Sequence, residues 1–275
     1  AGHGVALIDP HGDLAERVLA GSIPAHREKD VIYFNVADQE FPIGLNLLAQ
    51  QPGVEATEIA SRTLAVVRKI FADQWSATRM ESAMYAALSA LISVGGFTLP
   101  DVTRLFVDDK FRYKVLQQVD DPEALSYWRD HFENASNNFK MIVAQPIFNR
   151  LNGFYRNSTM RLIMGQTACL NFRNIIDNRK IFIANLQRLG EIEQETLGAA
   201  LISHFQIAAL SRGNIPESRR IPFYLHIDEV QNFITTSFPS LFSEARKFGV
   251  NLCVANQFMG QLSGATLEAV LGTSG

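Results

Sequence analysis

The chain has 275 residues, of which 47% are hydrophobic and 19% charged, and it carries a net charge of −3. This composition predicts a globular protein with a large core, and it excludes a protein that binds nucleic acid through an overall positive charge. Any contact with DNA would therefore depend on a local surface. The longest weakly polar run, residues 86–99, is shorter than the roughly 20 residues that cross a bilayer, so we expect no membrane span within it.

Five short apolar runs predict buried β-strands. They are rich in Val, Ile and Phe and nearly continuous rather than alternating, which is typical of parallel strands covered on both faces. The runs are residues 4–9, 31–36, 180–186, 223–228 and 251–256. Helical patterns separate several of them, so the sequence predicts an α/β fold with a mostly parallel sheet. Cys169 and Cys253 lie in apolar runs far apart, which predicts buried thiols rather than a disulfide.

The first predicted strand runs directly into the sequence DPHGD. Asp9, His11 and Asp13 stand at alternate positions there and are residue types that bind metal ions. A metallophosphoesterase site would need further Asn, His and Asp ligands from later loops, and no later motif supplies them. We therefore prefer a turn at Pro10, with Asp13 capping a helix over residues 14–19.

A long segment after the second strand has almost no strand signal. Its helical stretches are residues 56–71, 80–94, 100–106, 122–134 and 139–154. The sequence therefore predicts an all-α inserted domain at 53–164, with 1–52 and 165–275 together forming the α/β domain.

Residues 139–161 are the best local candidate for DNA binding because they contain no acidic residue. The cations Lys140, Arg150 and Arg156 are interleaved here with the aromatic residues Phe154 and Tyr155. Bases can stack on such aromatics while the cations contact phosphates. The alternative, which we prefer, is an amphipathic helix whose aromatic residues lie in the core.

The most informative segment is FYLHIDEVQNF, residues 223–233. An apolar strand ends here in two adjacent carboxylates, Asp228 and Glu229. Ligands of open α/β sheets bind beyond the carboxyl ends of the strands. Nucleotide hydrolases need one carboxylate near Mg²⁺ and another that orients or deprotonates the attacking water. The pattern therefore predicts a Walker B strand with a catalytic glutamate, and the alternative is a strand that ends in a solvated turn.

Two later residues could complete such a site. Arg246 flanks the apolar face of a predicted helix over 239–248, where it is either an arginine finger reaching a neighbouring subunit or a cation that favours the helix end. Asn256 and Gln257 follow the next strand, beside the Asp-Glu pair if the two strands are neighbours. An amide there can sense the γ-phosphate or the attacking water, or it can cap the next turn.

Taken in order, these motifs resemble the ATPase domain of conjugative type IV coupling proteins. These are the TraD/TraG-like members of the HerA–FtsK clade of hexameric P-loop DNA motors. The motifs are LIDPHGDL from residue 7, IGLNLL at 43–48, LHIDEVQNF from 225, SEARKFGV from 243 and ANQ from 255, with the helical insertion after the second. The resemblance implies a RecA-like P-loop NTPase core and an all-α inserted domain. It covers nearly the whole chain, and the order of the motifs is more specific than any one of them.

The resemblance also implies the ligands and the roles of individual residues. ATP and Mg²⁺ would be bound, with Asp228 as the nucleotide-binding, Mg²⁺-linked acid and Glu229 as the catalytic glutamate. Arg246 would act as an arginine finger across a subunit boundary. Gln257 would be a sensor glutamine with catalytic and nucleotide-binding roles. The implied partners are DNA, further copies in a homo-hexamer, a relaxase and secretion-channel proteins. The implied location is cytoplasmic, at the inner membrane if membrane helices lie upstream.

One feature of the family is missing from the sequence. The chain has no GxxxxGK[S/T] phosphate-binding loop, and the segment before the first strand has neither the Lys nor the spacing. We expect that the chain begins after this loop. The expected function is an ATP-driven DNA translocase. The alternatives are a soluble HerA-like DNA-processing ATPase and a non-hydrolysing module that recognises DNA or a relaxosome.

Overall fold

The computed structural model describes residues 2–71, 75, 77–261 and 264–273. Its described strands form one parallel sheet in the order β2-β3-β1-β4-β5. The strands are β1 (Gly4–Asp9), β2 (Val31–Asn35), β3 (Ile181–Asn185), β4 (Phe223–Ile227) and β5 (Val250–Val254). The predicted α/β class with its parallel sheet is confirmed.

Burial differs between the centre and the edge of the sheet. Every residue of β3 is buried, whereas β5 at the edge has a largely half-buried pattern. Cys253 on β5 is exposed, so the prediction that it is a buried thiol was wrong, because the strand has a described neighbour on one side only. Cys169 is half-buried, and burial raises the pKa of its thiol to about 11.

Helices connect the strands and build the insertion. They are α1 (Asp13–Gly21), α2 (Ala56–Phe71), α3 (Ala77–Val94), α4 (Leu99–Val107), α5 (Asp109–Leu116), α6 (Pro122–Ser126), α7 (Asn137–Phe154), α8 (Ser158–Met164), α9 (Phe172–Asp177), α10 (Glu191–Leu210), α11 (Phe238–Ala245) and α12 (Gly264–Thr273). A π-helical turn, Tyr127–Glu133, follows α6. No strand occurs among the described residues of the insertion.

The chain divides into two compact units. One comprises Ala1–Ile43 and Asn171–Gly275 and contains the sheet, and the other is the helical unit Gly44–Leu170. The predicted boundaries at 52/53 and 164/165 therefore differ from the observed ones. The backbone N–H of Leu45 donates to Ile163 at 2.8 Å, and the Asn46 side chain donates to Phe97 at 2.9 Å. These bonds attach the segment after residue 43 to the helical unit.

Apolar residues cover both faces of the central strands of the sheet unit. On one face, Leu7 and Ile183 pack with Ala15 of α1. The other face carries a row of aromatic rings, with Phe205 of α10 lying 5.4 Å from Phe182 and 5.6 Å from Phe223 between ring centroids. Helix α10 is buried along most of its length, as expected for a helix that is apolar on all sides.

The helical unit has a core of its own. Trp128 of the π-helical turn packs against Phe106 and Phe132, with ring centroids 5.2 Å away in both cases. In the part of the chain that the structure describes, no single helix has the length and apolar character needed to cross a membrane. One pair, Arg79–Val94 with Leu99–Val107, meets that requirement only in combination and is bent by 113°.

Candidate nucleotide site

The candidate site lies at the carboxyl edge of the sheet, where β4 and β5 end side by side. Backbone hydrogen bonds continue beyond the end of β4, since Asp228 N donates to Ile8 O of β1 at 3.0 Å and Val230 N donates to Ala255 O, just after β5, at 2.9 Å. These backbone bonds fix the segment between them. Asp228 and Glu229 are therefore held at a defined position, as the sequence predicted for a strand that delivers two carboxylates.

Glu229 has a left-handed backbone, with φ of 48°. A non-glycine residue in this region is uncommon and costs free energy, on the order of 1 kcal/mol or more, so the surrounding structure must hold it there. The left-handed residue turns the chain sharply from β4 into the short 3-10 helix Val230–Asn232. Asp228 and Glu229 consequently leave the strand in different directions.

Two amides hold the Glu229 carboxylate. The Nε2 of Gln257 donates to Oε1 at 2.8 Å, and the Nε2 of Gln231 donates to Oε2. Gln257 comes from the segment after β5, so the predicted meeting of these two residues at the sheet edge is what the structure shows. Gln231 was not predicted. Its Oε1 is buried and has no hydrogen-bond partner among the described residues.

Asp228 is half-buried, and its Oδ1 accepts a hydrogen bond from Glu229 N at 3.1 Å. A carboxylate with free oxygen lone pairs at the mouth of the sheet fits Mg²⁺, which binds through one or two carboxylates and keeps several waters and phosphate oxygens as its other ligands. Within the described ranges, no group of three or more His, Cys, Asp and Glu side chains is arranged to hold a metal ion.

The DPHGD turn after β1 serves a structural role. The carboxylate of Asp9 is 1% exposed, and it accepts hydrogen bonds from His11 N at 2.9 Å and from Ala15 N at 2.8 Å. Asp9 therefore satisfies a free N–H in the first turn of α1. The prediction that Asp13 caps this helix was wrong: Gly12, with φ of 86°, is the residue before the helix, and Asp13 is its first residue. This arrangement favours the turn over a metal cluster.

The segment after Glu229 is also held by the packing of Phe233 against α10. Phe233 is fully buried, and its ring lies against Gly198 of α10. A Cβ at position 198 would lie 2.3 Å from the ring, so only glycine allows this approach. The buried ring fixes the far end of the 3-10 helix that begins after Glu229.

Arg246 lies at the opposite edge of the sheet from the two carboxylates. It begins a short 3-10 helix, Arg246–Phe248, which ends just before β5. Gly249 O accepts from Phe223 N at 2.9 Å, which places this turn beside the start of β4. Asp228 follows the end of the same strand, roughly 16 Å away at about 3.3 Å per residue. Arg246 is exposed, and no hydrogen bond or ion pair of its guanidinium is found among the described residues.

The candidate DNA-binding residues do not form one exposed surface. Phe154 and Tyr155 are 4% and 8% exposed, so the candidate role in stacking on bases was wrong and the preferred interpretation, in which both lie in the core of the helical unit, is what the structure shows. Lys140 forms an ion pair with Glu133 at 3.5 Å. Arg156 is exposed and Arg150 is half-buried. The outcome for the aromatic residues matches the amphipathic-helix alternative.

Comparison with known proteins gives structural matches alone. No protein-family model matches the chain, and no curated protein matches it by sequence. Among solved structures, the unbound form of the bacterial conjugative coupling protein TrwBdeltaN70 matches 99% of this chain with 16% identity and a TM-score of 0.63. TrwB in complex with ADP and Mg²⁺ matches with 14% identity and a TM-score of 0.64, and its complex with the ATP analogue ADPNP with 16% and 0.63.

These matches concern fold. This chain covers 60% of the unbound TrwB chain and 62% of each of the two nucleotide complexes. The resemblance inferred from the motifs is confirmed at the level of architecture. The chain has the fold of the conjugative coupling protein TrwB, in this case an α/β core with a parallel sheet and an all-α insertion.

Proposed function

We propose that the chain is the motor part of an ATP-driven DNA translocase that couples plasmid processing to conjugative transfer. The observation that carries this proposal is the paired carboxylate at the end of β4, whose second member is held by Gln257 from the neighbouring strand end. Structural folds are shared by proteins of different function, so the proposal rests on this site more than on the fold.

The residues divide the work of hydrolysis between them. Asp228 would bind Mg²⁺ together with the nucleotide phosphates, and the metal would neutralise charge that develops on them. Glu229, fixed by its two amide contacts, would accept a proton from the attacking water or orient that water. Gln257 would report the state of the γ-phosphate to the same carboxylate. Each role needs a side chain held in place beforehand, which is what the hydrogen bonds at this edge provide.

Arg246 would act on a nucleotide held by a neighbouring copy. Arg246 lies at the end of the sheet where the strands begin, so it cannot reach Asp228 and Glu229 of its own chain, which follow the end of β4. A guanidinium that is exposed and unengaged suits phosphate recognition across an interface. The proposed assembly is therefore a homo-hexamer with DNA as the translocated substrate, working at the cytoplasmic face of the inner membrane. A relaxase and secretion-channel proteins would be its further partners.

Substitutions in the full-length protein test these roles. Glu229→Gln should bind ATP normally but lose turnover, and Asp228→Ala should show a deeper loss that depends on Mg²⁺. Arg246→Ala should keep nucleotide binding and lose about 10³- to 10⁵-fold in rate, as for arginine fingers. Mixing Arg246→Ala with Glu229→Gln subunits should restore some activity, because some interfaces then join an intact Glu229 to an intact Arg246. An ATPase rate that stays at background at every mixing ratio would contradict a role in trans.

A second candidate function is a non-hydrolysing recognition module, favoured by the lack of a GxxxxGK[S/T] loop in the 275 residues. For this chain by itself we expect weak ATP binding and negligible hydrolysis, since no Lys is placed to hold the β- and γ-phosphates. Titration with labelled ATP and Mg²⁺ measures both. Micromolar affinity with steady turnover would show that the chain needs no such loop.

A further inference from the structure

The short turn that carries Arg246 is fixed by hydrogen bonds at each of its carbonyl groups. Arg246 O accepts from Gly249 N at 3.0 Å, and Gly249 O accepts from Phe223 N at 2.9 Å. The two carbonyls between them, those of Lys247 and Phe248, accept from arginine side chains. Every carbonyl of this turn therefore has a specific donor from within the protein.

Arg212 supplies one of these donors from inside the protein. Its side chain is 1% exposed, its Nη1 donates to Phe248 O at 2.5 Å, and its Nη2 donates to Ile221 O at 2.9 Å. Its Nε lies 3.0 Å from Oδ1 of Asp177, which offsets the buried charge. Arg212 thus connects the end of α10 to the segments that enter β4 and β5.

Arg220 supplies the other donor from the surface. Its Nη1 donates to Lys247 O and its Nε to Ile215 O, the latter at 2.9 Å. Its guanidinium also lies over the ring of Phe248, 5.1 Å from the ring centroid. One planar group therefore contacts both residues that follow Arg246. A lysine could not make the two hydrogen bonds and the ring contact together, because its ammonium is a single point donor.

Gly249 closes the arrangement. It has φ of 77°, and a Cβ at this position would lie 3.0 Å from Nη1 of Arg212 and 3.3 Å from the Cβ of Arg220. Because it has a left-handed backbone and no Cβ, Gly249 lets the chain enter β5 in close contact with the two arginine side chains. The side chain of Arg246 itself takes no part in these contacts and remains exposed.

We propose that Arg220, together with the buried Arg212, is a positioning residue that holds the turn presenting Arg246 to a neighbouring copy. This inference rests on the proposed role of Arg246 in trans. A finger must reach the transferring phosphoryl group from another subunit, and a displacement of about 1 Å is enough to cost about 10²-fold in rate. The hydrogen bonds from Arg220 to Lys247 O and from Arg212 to Phe248 O restrict such a displacement.

Arg220→Met in the full-length protein tests the proposal, with Arg219→Met as the matched control. Arg219 is adjacent in the chain and exposed, and no hydrogen bond of its side chain is found among the described residues. We expect Arg220→Met to lose about 10- to 100-fold in ATPase rate at unchanged ATP affinity. Arg220→Lys should lie between wild type and Arg220→Met. Arg219→Met should behave as wild type.

Mixing experiments separate positioning of Arg246 from a general structural effect. Arg220→Met should regain activity when mixed with Glu229→Gln and gain none when mixed with Arg246→Ala, because it should fail on the same side of the interface as Arg246. Wild-type turnover of Arg220→Met, or recovery with Arg246→Ala, would overturn the inference. Failure of the proposed function is seen separately, as normal turnover of Arg246→Ala itself.

Hydrogen exchange gives a readout that needs no ATPase activity. The Gly249 amide bonds to Arg246 O, so a loosened turn should exchange it faster. We expect faster exchange at this amide in Arg220→Met and Arg220→Lys than in Arg219→Met, with the sheet amides unchanged. Equal exchange in the three variants would overturn the positioning role.

Discussion

At the scale of single residues, carboxylates at the ends of neighbouring strands serve different purposes. Asp9 shows this in the turn after β1. Its carboxylate was a candidate metal ligand, yet one oxygen accepts from His11 N in the turn and the other from Ala15 N in the first turn of α1. An aspartate therefore stabilises the turn after β1, whereas the aspartate after β4, Asp228, is available to bind a ligand.

Asp9→Ala should destabilise the protein by about 1–3 kcal/mol, because two N–H groups would lose their buried acceptor. Chemical denaturation measures the change in the free energy of unfolding. The control is Asp13→Ala, which removes an exposed carboxylate from the first turn of the same helix and should cost about 0.3–1 kcal/mol. Equal losses in the two variants would mean that the buried hydrogen bonds contribute little.

Gln231→Met should lower turnover by about 10- to 100-fold at unchanged ATP affinity in the full-length protein. The reason is loss of a hydrogen bond to the charged Glu229, worth about 1.5–3 kcal/mol. Gln187→Met, which changes an exposed amide after β3, is the control and should be silent. Faster turnover in Gln231→Met would show the opposite role, in which the amide restrains the carboxylate.

At the scale of elements, the sequence predicted the strand ends and the meeting of Gln257 with Glu229, and it missed the contacts of Gln231 and Arg220. The Asp228–Glu229 pair was found because it follows an apolar strand directly. Gln231 is only two residues further on, but nothing in its neighbours shows that its amide turns back to Glu229. The contacts of Arg220 with the turn after Arg246 depend on loops 27 residues apart.

The spacing of apolar residues in α7 already indicated that Phe154 is buried. Val143, Ile147, Leu151 and Phe154 recur on one face of α7, and all are buried, so the pattern itself indicated a core position for Phe154. The cap of α1 was harder, because a glycine with positive φ lets Asp9 reach forward over several residues. Helix α5 was missed since its sequence DKFRYKVL is too polar for a clear helical period.

The approach of α10 to the segment after Glu229 gives a prediction for the packing of two elements. Gly198→Ala should destabilise the protein by about 1–3 kcal/mol, because its Cβ would overlap the Phe233 ring and force a shift. We also expect reduced turnover, since that ring anchors the 3-10 helix after Glu229. Gly213→Ala is the control, with Phe248 at 3.8 Å from the added Cβ, an ordinary contact. Thermal unfolding and ATPase assays of both variants measure the difference.

At the scale of the whole molecule, the chain consists of two units with separate cores. The helical unit is continuous in sequence, Gly44–Leu170, and packs its own aromatic cluster around Trp128. A continuous segment with its own core is the usual condition for independent folding.

We therefore expect residues 44–170 to fold when expressed alone. Circular dichroism should show a helical spectrum and one cooperative thermal transition. Trp128→Ala, which leaves a large cavity in the cluster, should lower the stability of this fragment by about 3–5 kcal/mol. A fragment without a cooperative transition would mean that the helical unit depends on the rest of the chain for its stability.

The placement of the carboxylates and Arg246 at opposite edges of the sheet has a consequence for stoichiometry. Under the proposed function, each complete catalytic centre takes its acids from one chain and its arginine from the next. In an open linear assembly, the acids of the chain at one end would have no Arg246 from a neighbour, and the Arg246 of the chain at the other end would face no acids. A closed ring has neither end, since head-to-tail contacts that close make every position equivalent. The number of working centres would then equal the number of chains only at closure, so activity per chain should rise in a step when the last copy joins.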